Sequence, residues 1–200
     1  MYLKSLIANK LVKPFKAFPF FGRQRFWMLY WAYRLTGWHI RHKEWDFVLE
    51  YLPPLMKRQD ISVLDVGCSR NLFCYEVKAR DYKLFGVDLE FPNFNYPGEF
   101  HIRDITVGHN LFQDCFEFVT CISVLEHIKE HRDRALNNMI HALIIGGRLL
   151  ITIPTKEFAQ GHDWEGFTLK SLEDLLPRNS RVIEYTERAG QLCLSIERLS

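Results

Sequence analysis

Apolar positions along the chain fall into blocks of helical and of extended spacing. Leu3, Leu6, Ile7 and Leu11 recur at helical spacing with Lys4, Lys10 and Lys13 between them, and Pro14 ends the pattern. Pro19 and Gly22 mark a loop, followed by Phe26-Trp27-Met28-Leu29-Tyr30-Trp31-Ala32-Tyr33 between Arg25 and Arg34. This second block is far too short to span a bilayer, which takes about 20 residues. No signal-peptide cleavage pattern follows it. A further helix is expected over 41–52, ahead of Pro53-Pro54.

From residue 61 the pattern changes. Val63, Leu64 and Val66 form a short apolar run that ends in Gly67, which reads as a buried parallel strand over 62–66. A polar turn, Cys68-Ser69-Arg70-Asn71, leads into a helical pattern through Leu72, Phe73 and Val77. Further strands are expected over 83–88, 99–103 and 117–123. Between the second and third, Pro92, Pro97 and Gly98 argue against a crossover helix. A helix is expected over 130–144, with Ala135, Leu136, Met139, Ile140 and Leu143 on one face and Gly146-Gly147 as its stop. A fifth strand over 148–153 follows, then a helix carrying Leu169, Leu172, Leu175 and Leu176 and ended by Pro177. Strands over 180–186 and 191–198 form a hairpin about the 187–190 turn. Strands alternating with helices predict an α/β domain with a mostly parallel sheet and helices on both faces.

Composition sharpens this division. The chain has 200 residues, which suits one domain plus an extension, and 48% of them are apolar, enough for a packed core. Five cysteines without a C-x-x-C pair suggest neither a disulfide framework nor a zinc site, and fit a reducing, cytoplasmic setting. The net charge of +2 is unevenly spread: residues 1–45 carry nine Lys/Arg and one acid, Glu44. Thirteen of the 29 aromatic residues lie in the first 50. The expected division is therefore a basic, aromatic helical extension over 1–60 and a domain over 61–200. The extension has two readings, a lid packed over the domain or a segment that contacts a membrane surface through residues 1–40. Its basic residues form no dense run, so nucleic acid is not an expected partner.

Candidate chemistry clusters at strand ends. A strand that ends in a glycine turn and feeds a helix aims backbone N–H groups and a helix start at one spot. Asp88 closes the second strand 23 positions after Asp65, a spacing suited to a carboxylate that accepts from ribose hydroxyls. Glu90 is its nearest rival. The dinucleotide fingerprint G-x-G-x-x-G is absent, because Ser69 and Asn71 stand where further glycines would, and this disfavours a nicotinamide oxidoreductase.

Five stretches in order then resemble the class I S-adenosylmethionine-dependent methyltransferases, in particular the small-molecule methyltransferase type 11 group. They are Val63-Leu64-Asp65-Val66-Gly67-Cys68, Phe85-Gly86-Val87-Asp88, Arg103-Asp104-Ile105, the run from Phe116 to Ile128 with Leu125-Glu126-His127-Ile128, and Gly146-Gly147 with the strand to Pro154. The resemblance covers residues 61–176. It implies a Rossmann-like, mostly parallel seven-stranded sheet with a final antiparallel strand. It also implies S-adenosyl-L-methionine as cofactor, with Asp65, Gly67, Ser69 and Ser123 on its methionine side. Asp88 and Leu89 would serve the ribose, and Asp104 and Ile105 the adenine. Ser69 and Asn71 depart from the family's usual glycines.

Three residues are candidates for catalysis. His127 could take the proton of a hydroxyl or ammonium acceptor, since its ordinary pKa lies near neutrality; the alternative is a packing and positioning turn. His162 and Asp163, in the loop after the fifth strand, could act as base and orienter, with Trp164 and Phe167 lining an acceptor pocket and Thr168 capping the next helix. His127 and His131 are four apart, yet no third ligand is placed, so no metal site is expected. The expected activity is methyl transfer to an O, N or C nucleophile of a small, bulky or lipid-linked acceptor. A binding or scaffold protein that retains the fold is the alternative.

Overall fold

The computed structural model describes residues 42–53, 60–69, 71–92, 94–107 and 112–200. The expectations for residues 1–41, including both N-terminal apolar blocks and the membrane-contact reading, lie outside the described residues.

The described chain runs α1 (His42–Tyr51), β1 (Ser62–Val66), α2 (Phe73–Lys78), β2 (Lys83–Asp88), β3 (Glu99–Ile102) and β4 (Phe116–Ile122), then a single 3-10 turn (Leu125–His127). It continues with α3 (Arg132–Ala142), β5 (Leu143–Pro154), α4 (Lys156–Ala159), α5 (Leu169–Glu173), β6 (Ser180–Arg188) and β7 (Gln191–Arg198). The strands form one seven-stranded sheet in the order β3-β2-β1-β4-β5-β7-β6. β1 to β5 are parallel, and β7 lies antiparallel between β5 and β6. Strand order therefore reverses between β1 and β4, the place where open α/β sheets hold ligands at their carboxyl ends. Among the described residues no helix forms between β2 and β3, as Pro92, Pro97 and Gly98 predict.

Alternation along each central strand divides the core in two. Leu64, Val66, Val119, Cys121, Leu149 and Ile151 face one layer, which Leu136, Met139 and Ile140 of α3 complete. Val63, Ile122, Leu150 and Cys193 face the other, against Trp45, Phe47 and Val48 of α1 and Phe73 and Val77 of α2. Helix α1, from the expected extension, thus shares a core with the sheet. Arg188 forms a two-pronged pair with Glu50 at 2.8 Å, and Tyr51 donates to Glu184 at 2.5 Å. Burial and the Glu184 carboxylate push the Tyr51 phenol up to about 12.

One boundary departs from the sequence pattern. Gly146-Gly147 do not end the helix; α3 stops at Ala142, and β5 begins at Leu143. The last helical carbonyls are satisfied from outside, with Asp114 N–H donating to His141 and Cys115 N–H to Ala142, while Arg198 donates to His141 and Leu143. The glycines instead lie in a bulge: pairing jumps from Phe116↔Leu143 to Phe118↔Arg148, and Gly146 has φ +79°. At the β6–β7 hairpin, Ala189 and Gly190 both have positive φ, which matches the right-handed twist of the two strands.

Candidate active site

The turn after β1 and the end of β2 are tied together. Gly67 N–H donates to the Val87 carbonyl at 2.8 Å, and Ser69 N–H donates to Asp88 Oδ2 at 2.8 Å. The other oxygen, Asp88 Oδ1, accepts from Leu89 N–H at 2.7 Å. The carboxylate is thereby fixed toward the turn, and each oxygen keeps a second lone pair for a ligand. Gly67 has φ +72°, and a Cβ there would meet Val124 Cγ2 at 2.2 Å. The space that a side chain at Gly67 would need is thus taken by Val124, just past β4.

Ser69 and Asn71, the two departures from glycine, do not need glycine's conformational range. Neither has a positive φ. Asn71 Oδ1 accepts from Phe73 N–H at 2.9 Å and so covers an orphan donor at the start of α2.

Asp65 lies beneath this turn and is 1% exposed. Thr120 Oγ1 donates to its Oδ1 at 2.8 Å, while Oδ2 is buried and has no hydrogen-bond partner among the described residues. Burial pushes its pKa up to about 7; the Thr120 bond opposes this and the Asp88 charge adds to it. Burial likewise pushes the neighbouring Cys68 thiol up, which keeps it inert as a nucleophile.

Ser123 adopts a left-handed backbone, φ +50°, immediately after β4, and its N–H donates to the Thr152 carbonyl at 2.9 Å. Its hydroxyl donates to Glu44 Oε1 at 2.5 Å, a contact between residues 79 apart in sequence. Glu44 sits on α1 and is 4% exposed. Sequence reasoning missed it, since an acid in the first turn of an amphipathic helix ordinarily reads as a solvated dipole partner.

At the β3 end, Arg103 N–H donates to the Asp88 carbonyl at 2.9 Å, and Asp104 follows on the surface. Asp104 Oδ1 accepts from Thr106 N–H at 2.8 Å and Thr106 Oγ1 at 2.7 Å, forming a turn. Ile105 packs against the core, and its carbonyl accepts from Asn138 at 2.7 Å.

On the far side of the strand ends, three expected residues come together. The His127 ring lies parallel to Trp164, with centroids 5.9 Å apart and planes 8° apart. The His162 ring meets Trp164 edge-on at 4.7 Å and stacks on Phe158 at 6.2 Å. His127 is well exposed on its 3-10 turn. The expected base–orienter pair is not formed: Asp163 is exposed, and among the described residues no hydrogen bond joins it to His162. Phe167 is also not a pocket residue. It is 3% exposed in the α3 layer, its N–H donates to the Pro154 carbonyl, and the Arg132 guanidinium covers its ring. Thr168 caps α5 reciprocally with Ser171. No group of three metal-ligating side chains occurs among the described residues.

Comparison with known proteins places this arrangement. A family profile described as a methyltransferase domain matches residues 37–196. No curated protein matches the chain by sequence. Among solved structures, the 1,6-didemethyltoxoflavin-N1-methyltransferase of Burkholderia thailandensis, with 1,6-didemethyltoxoflavin and S-adenosylhomocysteine bound, is 15% identical, with TM-score 0.61 over 78% of this chain and 77% of that one. The N-methyltransferase NodS of Bradyrhizobium japonicum WM9, with S-adenosylhomocysteine, is 16% identical, with TM-score 0.61 over 84% and 91%. The [4+2]-cyclase SpnF shares the fold at 14% identity and TM-score 0.63 over 84% and 81%. These structural likenesses speak for the fold, and the profile, spanning most of the chain, speaks for the family. The chain belongs to the methyltransferase-domain family and is a class I S-adenosylmethionine-dependent methyltransferase.

Proposed function

We propose that the protein transfers a methyl group from S-adenosylmethionine to an O, N or C nucleophile of a small molecule held beside Trp164. The observation that carries this reading is the junction of the Gly67–Ser69 turn with the Asp88 carboxylate, 2.8 Å from Ser69 N–H. The residues present suit a cationic nucleoside. Asp65 offers a buried carboxylate oxygen without a hydrogen-bond partner among the described residues, and Asp88 is held at the rim. Burying such carboxylates is costly unless positive charge accompanies them, and a sulfonium with an ammonium group supplies it.

In this reading Asp88 accepts from the ribose hydroxyls and Leu89 covers the nucleoside. Asp104 and Ile105 border the adenine, with Asp104 facing solvent. Asp65, Gly67, Ser69 and Ser123 line the methionine end. The cofactor supplies an electrophilic methyl whose displacement requires the nucleophile and the sulfur to be in line. His127, exposed beside Trp164, receives the acceptor's proton, and Trp164, braced by His162 and Phe158, orients the acceptor.

A bulky or lipid-linked acceptor is supported by the aromatic and basic content of residues 1–40. No described helix is long and apolar enough to cross a membrane. A second reading, a binding protein on the same fold, draws on Val124 packed against Gly67, which narrows the turn. Calorimetry with S-adenosylhomocysteine separates the two. Micromolar or tighter binding, together with its release during incubation of S-adenosylmethionine with candidate acceptors, supports the enzyme. Absence of binding supports the scaffold.

A further inference from the structure

The sheet ends differently on its two sides. β6, at one edge, breaks register in a bulge between Val182 and Glu184 and carries Arg181, Glu184, Glu187 and Arg188. Bulges and charges of this kind keep an edge from pairing with another chain. β3, at the opposite edge, pairs with β2 without a register shift. Arg103 N–H donates inward to the Asp88 carbonyl. Backbone direction alternates along a parallel ladder, so Phe100 and Ile102 turn their N–H and C=O groups away from β2. No further described strand takes them up. The face of this edge is apolar as well. The Phe91 ring lies 5.5 Å from Phe100, and Phe91 and Ile102 are 72% and 48% exposed.

The stretch Glu99-Phe100-His101-Ile102-Arg103 is its own complement when reversed. An antiparallel copy centred on His101 sets Glu99 opposite Arg103 and Phe100 opposite Ile102, twice each. Phe100 and Ile102 carry the outward backbone groups, so each such pair exchanges both of its N–H···O=C bonds. On one face the two Phe100–Ile102 pairs form a continuous apolar row, extended by Phe91 of each copy. On the other face the exposed Glu99 and Arg103 form opposite-charge cross-strand pairs. His101, which meets its own copy at the centre, turns its ring onto Phe112 of its own chain, 5.4 Å away.

We propose that the free edge of β3 is a docking surface for a second copy of this chain, paired antiparallel about His101, so that the two seven-stranded sheets run on as one. The contact is small, and a dissociation constant of roughly 1–100 μM is expected. The inference does not rest on the S-adenosylmethionine reading above.

The test is sedimentation of the full chain from about 1 μM to about 500 μM, a span that brackets that constant. The unaltered protein should pass from the 23.8 kDa monomer to twice that mass. Ile102→Pro removes an outward N–H that the monomer's own sheet does not use. It should remain monomeric throughout, with an unchanged circular dichroism spectrum. Arg103→Glu sets like charges opposite each other and should weaken the dimer at least about tenfold, and adding Glu99→Arg should restore it to within about threefold. A monomer at every concentration would overturn the proposal. So would a dimer that Ile102→Pro and Arg103→Glu leave unchanged, or one that the double exchange fails to restore. Should Ile102→Pro fail to fold, the charge exchange decides alone.

Discussion

The backbone N–H of Ser69 donates to the carboxylate of Asp88 at 2.8 Å, so the turn after β1 and the acid at the end of β2 form one rigid corner. Neither residue reaches this position alone. The parallel pairing of Val66 with Val87 brings the two strand ends level, and Gly67 turns the chain back toward β2.

That corner depends on Gly67. Gly67→Ala should destabilise the protein by about 2–4 kcal/mol, combining a left-handed backbone penalty with overlap against Val124. Urea unfolding measures it. The double variant with Val124→Ala should recover the overlap part and not the backbone part.

Asp65 predicts a pH dependence opposite to that of a salt-bridged acid. Its folded-state pKa is raised to about 7; in the unfolded chain it is about 3.9. The folded state binds the proton more tightly, so the group's contribution to stability is fully present below the unfolded pKa and is lost as pH rises through the folded one. The loss should be of order a few kcal/mol between about pH 4 and pH 8. Asp65→Asn should remove most of this slope, read from unfolding midpoints across that window. Binding of a cationic cofactor should have the opposite trend in the unaltered protein, strengthening as Asp65 ionises.

Trp45 anchors α1 and is fully buried against Phe73. Trp45→Ala should cost about 3–5 kcal/mol, because it empties the contact between α1 and the sheet layer. Arg188→Ala, which removes the partly exposed pair with Glu50 and the guanidinium over the Phe47 ring, should cost only about 1–2 kcal/mol. Thermal or urea unfolding distinguishes them.

The aromatic rim separates binding from turnover. With an acceptor in hand, His127→Gln should lower kcat by about 10²-fold or more while cofactor affinity stays unchanged. Trp164→Ala should chiefly raise KM for the acceptor. If His127→Gln retains full kcat, the histidine is a positioning turn and the acceptor's proton leaves by another route.

Much of the fold could be read from residue pattern. The apolar runs at β1, β2 and β4 are short, β-rich and bounded by turns, so local pattern and tertiary role agree there. Gly146-Gly147 misled because a glycine pair after a helix ordinarily caps it, whereas here Leu143 leaves the helix to pair with Phe116 and the glycines absorb the register jump. Phe167 misled because its neighbours Trp164 and Glu165 are loop-like, while its own backbone pairs with the Pro154–Lys156 segment and carries the ring inward. The corner of Gly67, Ser69 and Asp88 was legible because strand ends and spacing define it. Glu44 was not, since its meaning comes from a partner across the fold, and no local pattern marks an acid that becomes buried only when its helix docks.

The most direct measurement is the affinity of Asp88→Ala for S-adenosylhomocysteine by titration calorimetry, with circular dichroism to confirm that the fold persists. Loss of at least about tenfold relative to the unaltered protein is expected, since a charge-assisted hydrogen-bond acceptor to the ribose would be gone. An unchanged affinity would contradict the account, because the strand-end carboxylate would then not hold the nucleoside.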